Sequence, residues 1–90
     1  MRITNWGASQ RVNLVAGDNR IDLGDSYRCL RYWVDSGGPD LCPHYADIPA
    51  TANMAKIESG LVVEEEFASG IRIFHLYASD VGVLNVQNWA

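Results

Sequence analysis

The spacing of the apolar residues is the feature that most limits how this chain can fold. No segment repeats apolar residues at positions i, i+3, i+4 and i+7 over three turns, the pattern of an amphipathic helix. Short alternating or apolar runs are instead separated by "AGDN", "DSGGPD", "ASG" and "SDVG". Glycine, proline, aspartate and asparagine in such sequences favour chain reversals. The chain is therefore predicted to be all-β.

The predicted strands are short, and their number narrows the architecture. They cover residues 2–6, 11–16, 20–23, 26–35, 41–46, 54–57, 61–67, 70–78 and 82–88. Many short strands with tight turns and no crossover helix indicate a sandwich or a barrel. We expect residues 1–90 to form one small domain, an antiparallel β-sandwich of jelly-roll-like form.

Two predicted strands, in "YRCLRYWV" and "GIRIFHLYA", carry apolar residues on both faces, because side chains alternate along a strand. Such a strand lies at the centre of a sandwich or has its outer face covered by another chain. A chain of 90 residues hides only about 60–70% of its unfolded surface on folding. We therefore favour covering by another chain, which predicts a homo-oligomer.

Composition argues against two classes of partner. The net charge is -4 and the seven basic residues are scattered from Arg2 to Arg72, so nucleic acid is not expected. The N-terminus lacks the apolar region of a signal peptide, and no apolar run approaches the roughly 20 residues that cross a bilayer. We expect a cytoplasmic product without a membrane partner.

Cys29 and Cys42 could pair across a hairpin at "DSGGPD", but a reducing cytosol favours two buried thiols.

Three consecutive glutamates, Glu64, Glu65 and Glu66, have two interpretations. Neighbouring strand residues point to opposite faces, so only Glu64 and Glu66 could share a catalytic site. Alternatively, the charges follow Val62 and Val63 and discourage edge-to-edge pairing of a strand. We favour a solvated edge, because perturbed carboxylates need burial that a consecutive triplet makes improbable.

A metal site could be formed by four residues whose types bind metal ions. Cys42 and His44 would share one face of an extended segment, with Asp47 nearby and His75 as a third ligand by tertiary proximity. No ligand pair has a recognised zinc spacing, and a mid-strand histidine is more often a hydrogen-bonded core residue. A nucleophile pair of Cys42 and His75 lacks a visible orienting group. We expect no metal, no cofactor and no catalytic residue.

Aromatic residues are the remaining candidates for function, because large rigid rings are enriched at protein interfaces. For Trp33 we favour core packing, since a small sandwich must fill its centre with large side chains. Trp6 and Trp89 lie near the termini, where a ring is hard to bury without a partner. We expect intermolecular contact through Trp6, Trp89 and Tyr77.

A series of short motifs marks the second half of the chain, in "IPATANMAKIESGLVVEEEFASGIRIFHLYASDVGVLNVQNW". They are an "ATA" at residues 50–52, a Gly60 hairpin with an acidic strand at 64–66, "LYAS" at 76–79 and the closing "GVLNVQ" at 82–87. This series resembles the C-terminal half of small structural proteins encoded by tailed bacteriophages. The upstream "DSYRCLRYWVDSGGPDL" resembles that family's central strand and its following turn.

This resemblance implies a virion component, such as a capsid decoration, head-fibre or tail-associated protein. Such a protein acts by assembly with other virion proteins, without catalysis, and is synthesised in the cytoplasm of the bacterial host. The alternative is a carbohydrate-binding β-sandwich of a host-adhesion device, with an aromatic platform beside Asn5, Asn85, Gln87 and Asn88. A double-stranded β-helix enzyme with His44 and His75 as metal ligands is a third possibility.

Overall fold

Five strands make up the sheet of this protein, which the computed structural model describes over residues 9–53 and 55–89. Within those residues there is no helix, and every strand pair is antiparallel. The predicted all-β antiparallel class is confirmed. In chain order the strands are β1 (Gln10–Leu14), β2 (Gly17–Val34), β3 (Leu41–His44), β4 (Val63–Ala78) and β5 (Gly82–Trp89).

All five strands are hydrogen-bonded in one sheet, in the order β1-β5-β2-β4-β3. Strand β4 lies between β2 and β3, so these two strands do not form a hairpin at "DSGGPD". Cys29 on β2 and Cys42 on β3 are both free and buried. The prediction of two buried thiols is confirmed.

Two pairs of predicted strands are each continuous in the structure. Residues 20–23 and 26–35 fall mostly in β2, and residues 61–67 and 70–78 fall mostly in β4. Gly24 and Gly70, near the two junctions, have positive φ angles of 82° and 78°, which glycine adopts without strain. The pairing register also shifts between Asp22 and Cys29. Such bulges bend a strand without ending it, so the reversal predicted at "ASG" is wrong.

Two further predicted strands have a different outcome. Residues 55–57 form no strand, and Ile57 makes only a single bridge to Leu41, with backbone hydrogen bonds in both directions. Residue 54, which completes that prediction, lies outside the described residues, as does the strand predicted at 2–6. The loop at 45–62 is therefore longer than the sequence analysis expected.

The long strands must bend, because straight ones would not fit in the molecule. At about 3.3 Å per residue, the 18 residues of β2 would extend roughly 59 Å. The largest dimension of the structure is 30 Å. The bulged region of β2 and β4 is therefore a fold line across the sheet.

This fold line divides the sheet into two parts with different neighbours. The first half-sheet contains residues 17–23 of β2, residues 71–78 of β4 and all of β3. The second half-sheet contains residues 63–66 of β4, residues 29–34 of β2, then β5 and β1. Each long strand thus contributes one segment to each half-sheet.

The core lies between the inward faces of the two half-sheets. Tyr32 pairs with Val63 in the second half-sheet, yet its ring centroid is 5.7 Å from that of Phe74 in the first. Tyr45, after β3, packs on Phe74, and its hydroxyl is 2.7 Å from that of Tyr32. Burial raises the pKa of Tyr32, so this pair is a neutral hydrogen bond. The buried apolar cluster is Leu14, Ile21, Leu23, Leu30, Tyr32, Val34, Leu41, Ile71, Phe74, Leu76, Ala78, Leu84 and Val86.

Replacing Phe74 with alanine should lower the free energy of unfolding by about 3–5 kcal/mol, because the ring is fully buried between the half-sheets and its loss leaves a cavity. Chemical denaturation measures this change. The exposed Glu66→Gln variant is the matched control and should change stability by no more than about 0.5 kcal/mol. A loss below about 1 kcal/mol for Phe74→Ala would contradict a core shared by the two half-sheets.

Candidate functional site

Trp89 and Tyr77, two of the three residues predicted to make intermolecular contact, lie on different half-sheets. Trp89 ends β5 in the second half-sheet, where its side chain points outward and the residue is 41% exposed. Tyr77 is half-buried on the outward face of the first half-sheet, between Asp18 of β2 and Cys42 of β3. Trp6 lies outside the described residues. The structure therefore offers two separate candidate surfaces.

A second tryptophan lies on the same outward face as Trp89. Trp33 is half-buried and is not part of the apolar core, so its predicted role as a core residue is wrong. The Arg31 guanidinium lies 5.9 Å from the centre of its ring and also contacts Gln87 Oε1. In the strand register, the pair of Arg31 and Gln87 lies between the pair that contains Trp33 and the pair that contains Trp89.

Next to Tyr77, the outward face of the first half-sheet carries a polar network. His75 Nδ1 lies 2.9 Å from Asp18 Oδ2, and its Nε2 lies 2.8 Å from Asp47 Oδ1. Arg20 donates to both oxygens of Asp47, from Nε at 3.0 Å and from a terminal nitrogen at 3.2 Å. We call Asp18, Arg20, Asp47 and His75 the histidine–aspartate cluster.

This cluster fastens a loop to the sheet. Asp18 and Arg20 come from β2 and His75 from β4, whereas Asp47 belongs to the segment after β3. The Ala50 N–H donates to Asp18 Oδ1 at 2.8 Å, which adds a second attachment three residues further on. Part of the outward face that was expected to meet another chain is therefore covered by residues 47–50 of the same chain.

The electrostatics of the cluster favour a protonated histidine. A neutral imidazole can donate only one hydrogen bond, whereas carboxylates face both ring nitrogens of His75. The hydrogen bond to Asp47 raises the pKa of His75 above 6.5, burial opposes this, and Asp18 adds to it. Asp47 has its pKa lowered to about 2, first by the hydrogen bond from Arg20 and then by that from His75.

These contacts suit attachment better than catalysis. Both ring nitrogens of His75 are engaged and its side chain is only 6% exposed, so the ring has no free lone pair for a substrate proton. Cys42 pairs with Tyr77 in the sheet register, two residues away from His75 along β4. Burial raises the pKa of the other thiol, Cys29, which disfavours the reactive thiolate.

The residues considered for a metal site are near one another, but not all of their ligand atoms are available. His44 is directly opposite His75 in the pairing of β3 and β4, and its Nδ1 is buried without a hydrogen-bond partner. Asp47 is already held by Arg20 and His75. Over residues 9–53 and 55–89, no three histidine, cysteine, aspartate or glutamate side chains are placed to hold a metal ion.

The glutamate triplet is exposed at the lateral edge of the second half-sheet. All three side chains face solvent, as the interpretation of a solvated edge expects. Glu64 Oε1 is 3.6 Å from Arg31 across the strand pair, and the Glu64 side chain is 59% exposed. Screened pairs of this kind contribute little to stability, and the triplet forms no buried dyad.

Exposed apolar side chains were not singled out by the sequence analysis. Val15 follows β1 and is 59% exposed, and Val81 precedes β5 and is 66% exposed. They are close in space, because the adjoining residues Leu14 and Gly82 are paired. Leu61 and Val62, just before β4, are exposed to a similar degree. Isolated exposed valines are common, whereas these apolar side chains lie in pairs at strand ends.

Sequence reasoning could not have found the histidine–aspartate cluster from spacing. His75 is 57 positions from Asp18 and 28 positions from Asp47, and neither separation has a periodic meaning. The available signal was the polar sequence "HYAD", in which Asp47 follows His44 by three residues. Only the pairing of β3 and β2 on either side of β4 brings these groups together.

Comparison with known proteins found no matching family model, no matching curated protein and no matching solved structure. In the part of the chain that the structure describes, no helix is long and apolar enough to span a membrane.

Attachment of residues 47–50 should depend on pH. A raised histidine pKa stabilises the folded form fully below 6.5, the ordinary value, and this contribution is lost as the pH rises through the folded value. The lowered pKa of Asp47 stabilises the folded form at pH values above 3.8, the ordinary pKa, and this stabilisation is lost as the pH falls toward about 2. Hydrogen exchange of the Ala50 amide should therefore be slowest, after correction for intrinsic rates, between these limits.

The His75→Gln variant is the control for this prediction. Glutamine does not titrate, so the loss of protection at high pH should disappear while the loss at acid pH remains. A wild-type amide whose corrected protection is constant from pH 5 to pH 9 would contradict the role given to His75.

Proposed function

We propose that this chain is a non-enzymatic structural protein of a tailed-bacteriophage virion, which assembles into or decorates a capsid or tail through protein–protein contacts. Its partners are other virion proteins and further copies of itself. It is synthesised in the bacterial cytoplasm and resides in the virion. The observation that carries the proposal is the exposure of Trp89, Val15 and Val81 on an otherwise well-packed β framework.

The connectivity supports the finer part of the fold proposal, a jelly-roll-like sandwich. Each of the four connections between consecutive strands joins a segment of one half-sheet to a segment of the other. Chain crossings between two facing layers are the pattern of sandwiches with Greek-key connections. In this proposal the two half-sheets act as the two layers, joined through the bends in β2 and β4.

Assembly also suits the physical size and charge of the subunit. A 90-residue domain is marginally stable alone, and binding to neighbours stabilises the folded form by mass action. The net charge of -4 keeps free subunits apart before assembly. Interfaces between subunits would cover the exposed apolar side chains.

The second candidate is a carbohydrate-binding module, which is favoured by the placement of Trp33, Gln87 and Trp89 on one outward face. Asn85, one of the polar residues named for this function, is buried and donates to the backbone oxygen of Trp33. Light scattering during gel filtration separates the two candidates, because a sugar-binding module can act as a monomer. Glycan-array binding by a monomeric chain would favour the second.

Trp89→Ala should weaken assembly while the subunit stays folded, because a partly exposed ring contributes more to an interface than to the core. Truncating an aromatic anchor typically costs about 2 kcal/mol of binding, roughly a thirtyfold loss of affinity. Sedimentation gives the association constant, and thermal unfolding of the same variant tests the fold. Trp89→Phe, which keeps a ring, is the matched control.

Tyr77→Ala and Trp6→Ala are measured in parallel. If Trp89→Ala unfolds the isolated subunit, the ring belongs to the core; if all three variants assemble normally, the interface lies elsewhere. The virion assignment has its own test, which is mass spectrometry of particles of the virus that encodes this chain, purified and washed in high salt. Absence of its peptides from intact particles would overturn that assignment.

A further inference from the structure

The bent sheet has four lateral edges, two in each half-sheet. In the first half-sheet these are β3 and residues 17–22 of β2, and in the second they are β1 and residues 63–66 of β4. An open edge presents unpaired backbone N–H and C=O groups, so it can pair with another strand unless something blocks it.

Three of these edges carry features that discourage pairing. Pro43 interrupts β3 because proline has no N–H to donate, and Ile57 already occupies the place beside Leu41. The edge of β4 carries the glutamate triplet at 64–66, all exposed. The edge of β2 carries Asp18, Arg20 and Asp22 at alternate positions, with Arg20 held by Asp47.

The fourth edge, β1, has none of these features. Its sequence "QRVNL" contains a single charge, no proline and no glycine. β5 is the only strand paired with β1 among the described residues, and none of those residues pairs along the other edge of β1. The exposed Val15 follows directly, beside Val81.

We propose that two copies of this chain associate by pairing β1 with β1 in antiparallel fashion about a two-fold axis. The second half-sheets of the two copies then form one continuous eight-stranded sheet. This inference rests on the proposed function, in which the chain assembles with copies of itself. Closed two-fold contacts are the commonest form of self-association, and strand addition at a free edge is a recurring recognition mode.

The alternation of side chains along β1 limits which registers the two copies of β1 can adopt. Leu14 is buried and Val12 packs against the core, so Gln10, Val12 and Leu14 form the inward face, whereas Arg11 and Asn13 are exposed on the outward face. A two-fold axis perpendicular to the sheet keeps each residue on its own face. Even-numbered residues must therefore oppose even-numbered residues, and odd-numbered residues must oppose odd-numbered ones. The axis then passes between the two copies of a single residue.

Only one position of the two-fold axis pairs all of β1 without an unfavourable contact. An axis at Arg11 places two arginines directly opposite each other, which is destabilising. An axis at Asn13 shifts the pairing beyond Leu14, the last residue of β1. An axis at Val12 pairs all five residues and places Arg11 opposite Asn13 of the second copy, twice in each dimer.

Charge substitutions at residue 13 test this register. Asn13→Arg places two like charges opposite each other and should lower the dimer association constant about tenfold at low salt, whereas Asn13→Glu should raise it by a similar factor. The double variant Arg11→Glu/Asn13→Arg restores opposite charges and should recover association. High salt should reduce all three effects, since the pairs are exposed.

Controls separate these effects from net charge and from folding. Thr51→Arg and Thr51→Glu make the same charge changes at an exposed loop position and should leave association unchanged. Thermal unfolding should be nearly unaffected, because Asn13 is exposed within its own subunit. Analytical ultracentrifugation across a concentration series provides the association constants.

The possible results distinguish this inference from the proposed function. If Asn13→Arg and Asn13→Glu both weaken association, residue 13 opposes itself and the register at Val12 is wrong. If the protein associates but no variant changes the constant, self-assembly stands and the β1 edge is overturned. A wild type that stays monomeric at every concentration overturns the edge pairing, while the composition of purified particles still decides the virion assignment.

Discussion

The contact between Tyr32 and Phe74 is the interaction on which the rest of this structure depends. A sheet of five strands has two faces, and residues 9–53 and 55–89 include no helix or second sheet that could cover one of them. The sheet covers itself by bending β2 and β4 until residues distant along the strands meet. Glycines and bulges permit the bend, and the aromatic rings with Tyr45 fill the space that it encloses.

Bending creates two outward faces with different chemistry. On the first half-sheet, the chain covers its own surface with residues 47–50, held by charged groups around His75. On the second, Trp33 and Trp89 stay partly exposed beside the Arg31 guanidinium. Apolar residues on an outward face therefore do not all require a partner chain to cover them. The same chain supplies the cover where a long loop can reach.

The four lateral edges of the sheet differ in how strongly their residues oppose the addition of another strand. Proline, consecutive glutamates and alternating charges each oppose strand addition, and they occur on three of the four edges. Strand β1 is the exception, and it lies beside exposed valines at its end. The self-assembly proposed above needs this combination, because unrestricted pairing at several edges leads to open-ended association.

The sequence by itself determined the class of fold, the exposure of the glutamate triplet and the burial of both thiols, since alternation, charge and turn residues act locally. It did not determine that Gly24 and Gly70 bend strands, because glycine with positive φ occurs both in turns and in bulges. Nor could it place Trp33 outward, since alternation fixes which residues share a face but not which face is covered. Only the tertiary structure decided that His75 meets Asp18 and Asp47, because strand order, which is set by packing of the whole chain, brings together groups that no local spacing relates.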